Sequence, residues 1–542
     1  MILSLHNRLR HHIASVVSEL YSVEAGSTPT IIIEYPPNRR LGDLAITVAF
    51  ELARKLRKAP RVIADEIADA AGESAEFGRL QPTGAGYLNV FLDRAAFLRT
   101  RIRGNDLAAP PNGRIKTIVE HTAINPNKAA HVGHLRNAAL GDTLCRLLRF
   151  QGTSVEVQNY IDDTGAQVAD VVVGFCQLEH KSLEDVRRLA AAPRFDYYCW
   201  DLYARTTSWY EADDSRLSHR QTALKDLEHG TDPAATIADV ITDRIVRCHL
   251  ITMARLNIEY DLLSWEGDIL RLAFWNRAFE ILKASGAVFL QQKGRLSGCW
   301  VMPINDGSAG NSREETDGNT DSDARLKVIV RSNGTVTYIG KDIAYQLWKF
   351  GLLGLDFHYR WFEHQSSERP LWSTSSQPAP ITGPHQVPPF GQATAVYNVI
   401  DTRQSYLQEL LAQALTAMEH PREAEHSVHY SYEMVALSRE TARVLGYGNE
   451  ISEDGKPFVE VSGRKGLGVK ADDLLDQVTD RAENEVANRH TDLAPAARRH
   501  IATVIATAAV RYFMIKFSRS KVISFDIEEA LSFDGETGPY LQ

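Results

Sequence analysis

The run His131-Val132-Gly133-His134 places two imidazoles three residues apart with a glycine between them. It stands where a strand-like segment, Arg114 to Glu120, passes through a polar turn region into a helical pattern. The amino end of a helix offers unpaired N–H groups and the positive end of the helix dipole, and both suit phosphate. Gly133 lets a nucleotide approach the backbone closely. Two imidazoles at this spacing can donate to the bridging oxygens of a triphosphate as charge moves onto the α-phosphorus. The plainer reading is a pair of surface histidines at a turn. The order strand, turn, helix favours the chemical one.

Such a cluster needs elements to hold it. After His134, Leu140, Leu144, Leu147 and Leu148 fall on one helical face, and Gly152 follows the helix end. Val155, Val157 and Ile161 then alternate as a second strand. Strand, helix and strand in so short a span make a βαβ unit, hence a parallel sheet. Upstream, a helix is expected over Leu3 to Leu20 and a strand over Thr30 to Glu34. Gly42-Asp43 is expected to open a helix to Arg57, and Gly86 to Leu92 reads as a strand. Residues 163 to 285 are mostly helical in pattern. Asn305 to Asp323 and Ser366 to Phe390 read as polar surface insertions that bury little. Between them, Leu326 to Arg331 and Val336 to Ile339 look like strands. Ala471 to His490 and Leu493 to Ser518 read as long helices.

The chain has 542 residues, enough for three or four domains, and a net charge of -9 from 60 basic and 69 acidic side chains. That excludes a histone-like basic protein but not a local basic face. The five cysteines, at 145, 176, 199, 248 and 299, form no CxxC pair, so a disulfide scaffold and the common zinc ribbons are excluded. No apolar run reaches the length of a membrane span. Arg8 and Arg10 lie in an acid-free start, but the spacing of Leu5, Leu9, Ile13 and Val17 fits an ordinary first helix. A cytoplasmic monomer is expected.

The stretch Glu120-His121-Thr122-Ala123-Ile124-Asn125-Pro126-Asn127-Lys128-Ala129-Ala130-His131-Val132-Gly133-His134-Leu135-Arg136-Asn137 resembles the nucleotide-binding segment of arginyl-tRNA synthetases, which are class I aminoacyl-tRNA synthetases. The likeness continues through Asn159 to Gln167, Tyr338 to Tyr345, Val399 to Gln404, Val461 to Gly466 and Gly538 to Gln542. The resemblance implies an α/β fold: a Rossmann-like parallel-sheet catalytic domain over 109–480, with a small N-terminal tRNA-contacting α/β domain over 1–108 that includes Gly42-Asp43. Residues 481–542 would begin a helical anticodon-binding domain, most of which is expected to be lacking. Arg511, Lys516, Arg519 and Lys521 would be its basic contacts.

The same resemblance supplies roles. L-Arginine would be bound by Glu120, Asn125, Tyr338, Asp342 and Gln404, a guanidinium being a planar cation that favours bidentate carboxylates. Tyr338 lies one helical turn before Asp342 if that segment is helical. Taken alone, Asp342 also reads as a helix N-cap. ATP, with Mg2+ and no dedicated protein metal site, would meet His131, Gly133 and His134, and Ser462, Arg464 and Lys465 of a second motif. That motif departs from Lys-Met-Ser-Lys-Ser, since Gly463 replaces its second lysine. In many members of the family a lysine upstream of the histidines serves instead, and Lys128 stands at the matching place. The implied catalytic set is His131, His134 and Lys128. The implied partner is tRNA, with no membrane. Two alternatives stay open: a related ligase that passes an activated amino acid to a small acceptor, and an inactive tRNA- or amino-acid-binding paralogue.

Overall fold

The computed structural model describes residues 2–21, 31–36, 38–72, 77–103, 116–303, 326–332, 334, 336–378, 386–447, 458–460, 468–532 and 534–541. It divides into two compact units, Met1–Asn112 and Gly113–Gln542. Residues 481–542 thus share a unit with residues 113–480.

In the first unit the helix Ile2–Tyr21 packs Leu5, Leu9 and Ile13 onto an antiparallel sheet of four strands, ordered Ile33–Glu34, Leu44–Ile46, Tyr87–Phe91 and Arg79–Thr83. Gly42-Asp43 leads into a strand, not a helix. Leu44 to Ile46 pair with Leu88 to Val90, and the helix begins later, at Val48–Leu56. The reason is local: Asp43 accepts from Leu92 N at 3.0 Å and pairs with Arg94 at 2.7 Å, so its carboxylate braces the neighbouring strand. Gly42 has φ 136°, which a side chain would resist.

The second unit is built on a seven-stranded sheet. Its strands in chain order are β1 Lys116–Glu120, β2 Ser154–Ile161, β3 Leu262–Trp265, β4 His358–His364, β5 Pro370–Ser375, β6 Ala395–Asn398 and β7 Ser427–His429. They lie in the order β4-β5-β3-β2-β1-β6-β7, all parallel except β4. The strand order reverses at β1, so the crevice beyond the carboxyl ends of β1 and β6 is a topological switch point. Both faces are covered. Ile118 enters one apolar cluster and its neighbour Val119 the other, as alternation in a strand demands.

Six helices matter for the site: α1 Val132–Phe150, α2 Phe195–Glu211, α3 Ala234–Ala254, α4 Tyr338–Lys349, α5 Ala471–Arg489 and α6 Pro495–Ile515. On one face α1, α3, α5 and α6 share a core through Leu135, Ala138, Leu250, Val478, Val510 and Phe513. On the other, α4 contributes Ile343 and Leu347. Helix α2 belongs to a helical lobe between β2 and β3 with its own core around Phe175, Phe195 and Leu202.

Several expectations need correction. Ser366 to Phe390 is not a surface insertion: β5 lies inside the sheet, with Leu371, Trp372, Ser373 and Thr374 buried. Val336 to Ile339 is not a strand, since Val336 makes one bridge to Val330 and the helix α4 starts at Tyr338. Asp342 is not an N-cap, because Thr337 holds that place and Asp342 is inside α4. Of Arg511, Lys516, Arg519 and Lys521, the first three bond within the unit, while Lys521 is exposed. Arg511 donates to Leu256 O at 2.6 Å and pairs with Asp142, Lys516 pairs with Glu529 at 2.7 Å, and Arg519 donates to Ser431 O at 2.7 Å. Even the chain beyond α6 is tied down, as buried Arg136 of α1 donates to Lys521 O at 2.8 Å and Ser518 O at 3.2 Å. Asn305 to Asp323 lies outside the described residues.

Candidate active site

Glu120 ends β1, and the chain after it makes a sharp turn. Thr122 and Ala123 hold φ of 76° and 40°, the left-handed region that non-glycine residues avoid. Side chains pay for this geometry by binding its amides. Asn137 Oδ1 accepts from Thr122 N at 2.6 Å, and Asn159 Oδ1 accepts from Ala123 N at 3.0 Å. Asn137 Nδ2 donates to Val399 O at 2.8 Å, so one buried amide on α1 ties together the loops after β1 and β6.

His131 is the N-cap of α1, and its ring stacks on that of His134 at 3.6 Å between centroids and 18° between planes. His131 N donates to His134 Nδ1 at 3.1 Å, which leaves Nε2 of a neutral His134 as the N–H donor. Burial, then the nearby Lys128 ammonium, pushes His131 down to about 3. Burial and His131 hold His134 well below its usual value. Both rings are therefore neutral near pH 7. A side chain at Gly133 would bring its Cβ within 3.0 Å of the His131 ring.

Lys128 is buried, with Nζ 5.1 Å from the ring centre of Trp200 and 4.7 Å from that of Tyr203. Its carbonyl bonds His249 Nε2 at 2.7 Å. Behind the histidines, Val132 N donates to Val469 O at 3.1 Å and Ala471 N donates to Ala130 O at 2.8 Å, so His131 sits opposite Lys470. Ser462, Arg464 and Lys465 lie outside the described residues.

A second cluster is acidic. Glu120 pairs with buried Lys349 at 2.8 Å, and Lys349 also donates to Asn398 at 3.0 Å. Glu266, the residue after β3, pairs with Lys341 at 2.7 Å and accepts from Tyr160 at 2.7 Å and Thr164 at 2.8 Å. Burial works against its ionisation, but Lys341 together with the bonds from Tyr160 and Thr164 outweighs burial, and its pKa falls. Asp342 lies near both carboxylates. Burial, then Glu266 and Glu120, push it up to about 7. Asp162, just after β2, is raised by burial and by Glu266, and its Oδ1 is buried with no hydrogen bond. Four carboxylates thus face two ammonium groups, an arrangement that an added cation would relieve.

The structure brings Glu120 and Asp342 together. It places Tyr338 at the first position of α4, one turn before Asp342. Asn125 is half-buried in the loop before α1, whereas Gln404 is exposed at the end of the turn Thr402–Gln404. Sequence reasoning missed Glu266, Asp162 and Lys349. One signal for Glu266 was available: an acid at the end of a short apolar run, as Glu120 is at the end of β1. Among the described residues no three His, Cys, Asp or Glu side chains converge as a metal site, and no helix is long and apolar enough to cross a membrane.

Residues 7–92 match the family model for the arginyl tRNA synthetase N-terminal domain, and residues 102–356 match that for the catalytic domain of class I (R) tRNA synthetases. A relative from Thermus thermophilus, named arginine–tRNA ligase, is 34% identical over 99% of this chain and 80% of its own length. One of the same name from Thermococcus sibiricus is 32% identical over 97% of this chain and 79% of its own. The solved Thermus thermophilus arginyl-tRNA synthetase superposes with a TM-score of 0.73 at 31% identity, covering 99% of this chain and 79% of that one. The chain belongs to the arginyl-tRNA synthetase family. Within that family, the parallel sheet with its switch point is the class I catalytic architecture.

Proposed function

We propose that this arginyl-tRNA synthetase family member is an ATP-dependent arginine–tRNA ligase acting in the cytoplasm. The arginine carboxylate attacks the α-phosphate of ATP, giving arginyl-adenylate and pyrophosphate. The terminal ribose hydroxyl of tRNA then attacks the acyl carbon and releases AMP. No side chain becomes covalent, so catalysis consists of positioning and of stabilising phosphate charge. The observation that carries the reading is the cation-deficient pocket of Glu120, Asp162, Glu266 and Asp342 beside a pair of neutral, stacked histidines.

In this reading the guanidinium lies against Asp342, with Glu266 and Asp162 beside it. Glu120, held by Lys349, adds negative potential behind. Tyr338, Asn125 and Gln404 hold the rest of the amino acid. His131 and His134 donate to the triphosphate, Gly133 keeps the approach open, and Lys128 takes the charge that Gly463 leaves unmet. Ser462, Arg464 and Lys465 add charge at the pyrophosphate, and magnesium enters with ATP as part of the substrate. The test is arginine-dependent ATP–pyrophosphate exchange in the presence of tRNA. Exchange is expected with arginine and not with lysine or citrulline. Equal exchange with citrulline would sink the guanidinium assignment.

A further inference from the structure

Two lysines meet one indole. Helix α2 carries Tyr197, Trp200 and Tyr203 three residues apart, a spacing that sets their rings along one side of the helix. Lys128 Nζ is 5.1 Å from the Trp200 ring centre and 4.7 Å from that of Tyr203. Lys470 Nζ is 5.3 Å from Trp200 and 4.9 Å from Tyr197. Trp200 is shared between the two and is itself buried, so it is a fixed platform. Each ammonium is attracted to the ring, while the two repel one another.

The acids closest in sequence to Lys470 have other partners. Asp472 pairs with Arg255 at 2.5 Å and accepts from Thr252 at 2.7 Å. Asp473 accepts from Tyr197 Oη at 2.7 Å and lies 3.5 Å from Arg194. Lys470 is also registered to the histidine turn. It lies directly opposite His131 in an antiparallel bridge, and residues so paired project from the same face. The residues that carry both ammonium groups are thus tied to the histidine turn, Lys128 just ahead of it in the chain and Lys470 across the bridge from His131.

We infer that Lys470 is a second cation for the β- and γ-phosphates of ATP, and that Trp200 is a positioning residue that holds both Lys128 and Lys470 against its ring. This rests on the ATP site proposed above. Trp200 acts through the lysines and touches no reacting atom.

The test is calorimetric titration of the full chain with MgATP and, separately, with AMP, which lacks the two outer phosphates. Lys470→Gln is expected to weaken MgATP about tenfold, the scale of one lost charge-assisted contact, and to leave AMP unchanged. Lys470→Arg should restore most of the loss. Trp200→Leu should weaken MgATP selectively in the same way, and Trp200→Phe, which keeps an aromatic face, should lose little. A merely structural role would move ATP and AMP together. Parallel losses for both nucleotides, or unchanged MgATP affinity in Lys470→Gln, would overturn the inference. Arginine titrated into the same samples reports on the acidic pocket independently. Loss of arginine selectivity there would count against the ligase reading without touching the Lys470 result.

Discussion

At the scale of single residues, Asp342 is the group with most at stake. Its carboxyl titrates at about 7 because it is buried beside Glu266 and Glu120. In the proposed pocket arginine meets the ionised form, so affinity should decline by about tenfold per pH unit once the pH falls below about 6. Calorimetry between pH 5 and 8 checks this, and Asp342→Asn should bind arginine well over tenfold more weakly at pH 8 with a flat profile. The sign for stability is opposite. The folded pKa lies above the unfolded value, so the stabilisation present in acid is lost as pH rises through 7. Asp342→Asn should therefore gain on the parent protein in urea midpoint between pH 5 and pH 8. Lys128→Ala should slow adenylate formation by about 10²–10³-fold, as when one transition-state donor is removed, with arginine affinity nearly unchanged. Stopped-flow exchange measurements separate the two. The placing of His131 and His134 at a helix start was legible in the sequence because the turn and the helical spacing lie in the same short stretch. For Glu266 the sequence offered only its place after a short apolar run, while what draws it into the candidate site, Asp342 on a distant helix, is set by the fold.

At the scale of elements, the sequence was read well where one period ruled. The strand β1, the helix α1 and the strand β2 lie close to where alternation and helical spacing put them. It was misread where a strand was short or surrounded by turn-forming residues. The strand β5 is flanked by serine and proline, yet Trp372 is buried and paired with Leu262, because parallel pairing to β3 supplies what composition does not reveal. The same lesson applies to α6. Its basic residues suggested an RNA-facing helix, but Arg511 is tied to Leu256 O and Asp142 inside the unit. Arg511→Ala should accordingly destabilise the fold by about 1–3 kcal/mol through unsatisfied partners and leave the salt dependence of tRNA binding unchanged. Urea unfolding and binding at several salt concentrations would tell the two roles apart; a shallower salt slope would restore the RNA-facing reading.

At the scale of the whole molecule, each unit has its own apolar core, and every residue proposed to touch arginine or ATP lies in the second. A chain reduced to residues 113–542 should keep arginine affinity within about twofold, that is within about 0.4 kcal/mol, and lose tRNA affinity. Filter binding with tRNA and calorimetry with arginine measure both. One connection within the second unit also bears on time. The turn that carries His131 is completed by the bridge to Lys470 and its flanking bonds to Val469 and Ala471, so the two sides of the proposed nucleotide site lie far apart in the chain. A ribosome adding residues at about 5–20 per second needs roughly 20–70 s to go from one to the other. Throughout that interval the nascent chain carries its histidine turn without the segment that closes it, and the proposed nucleotide site is complete only once Ala471 has been made.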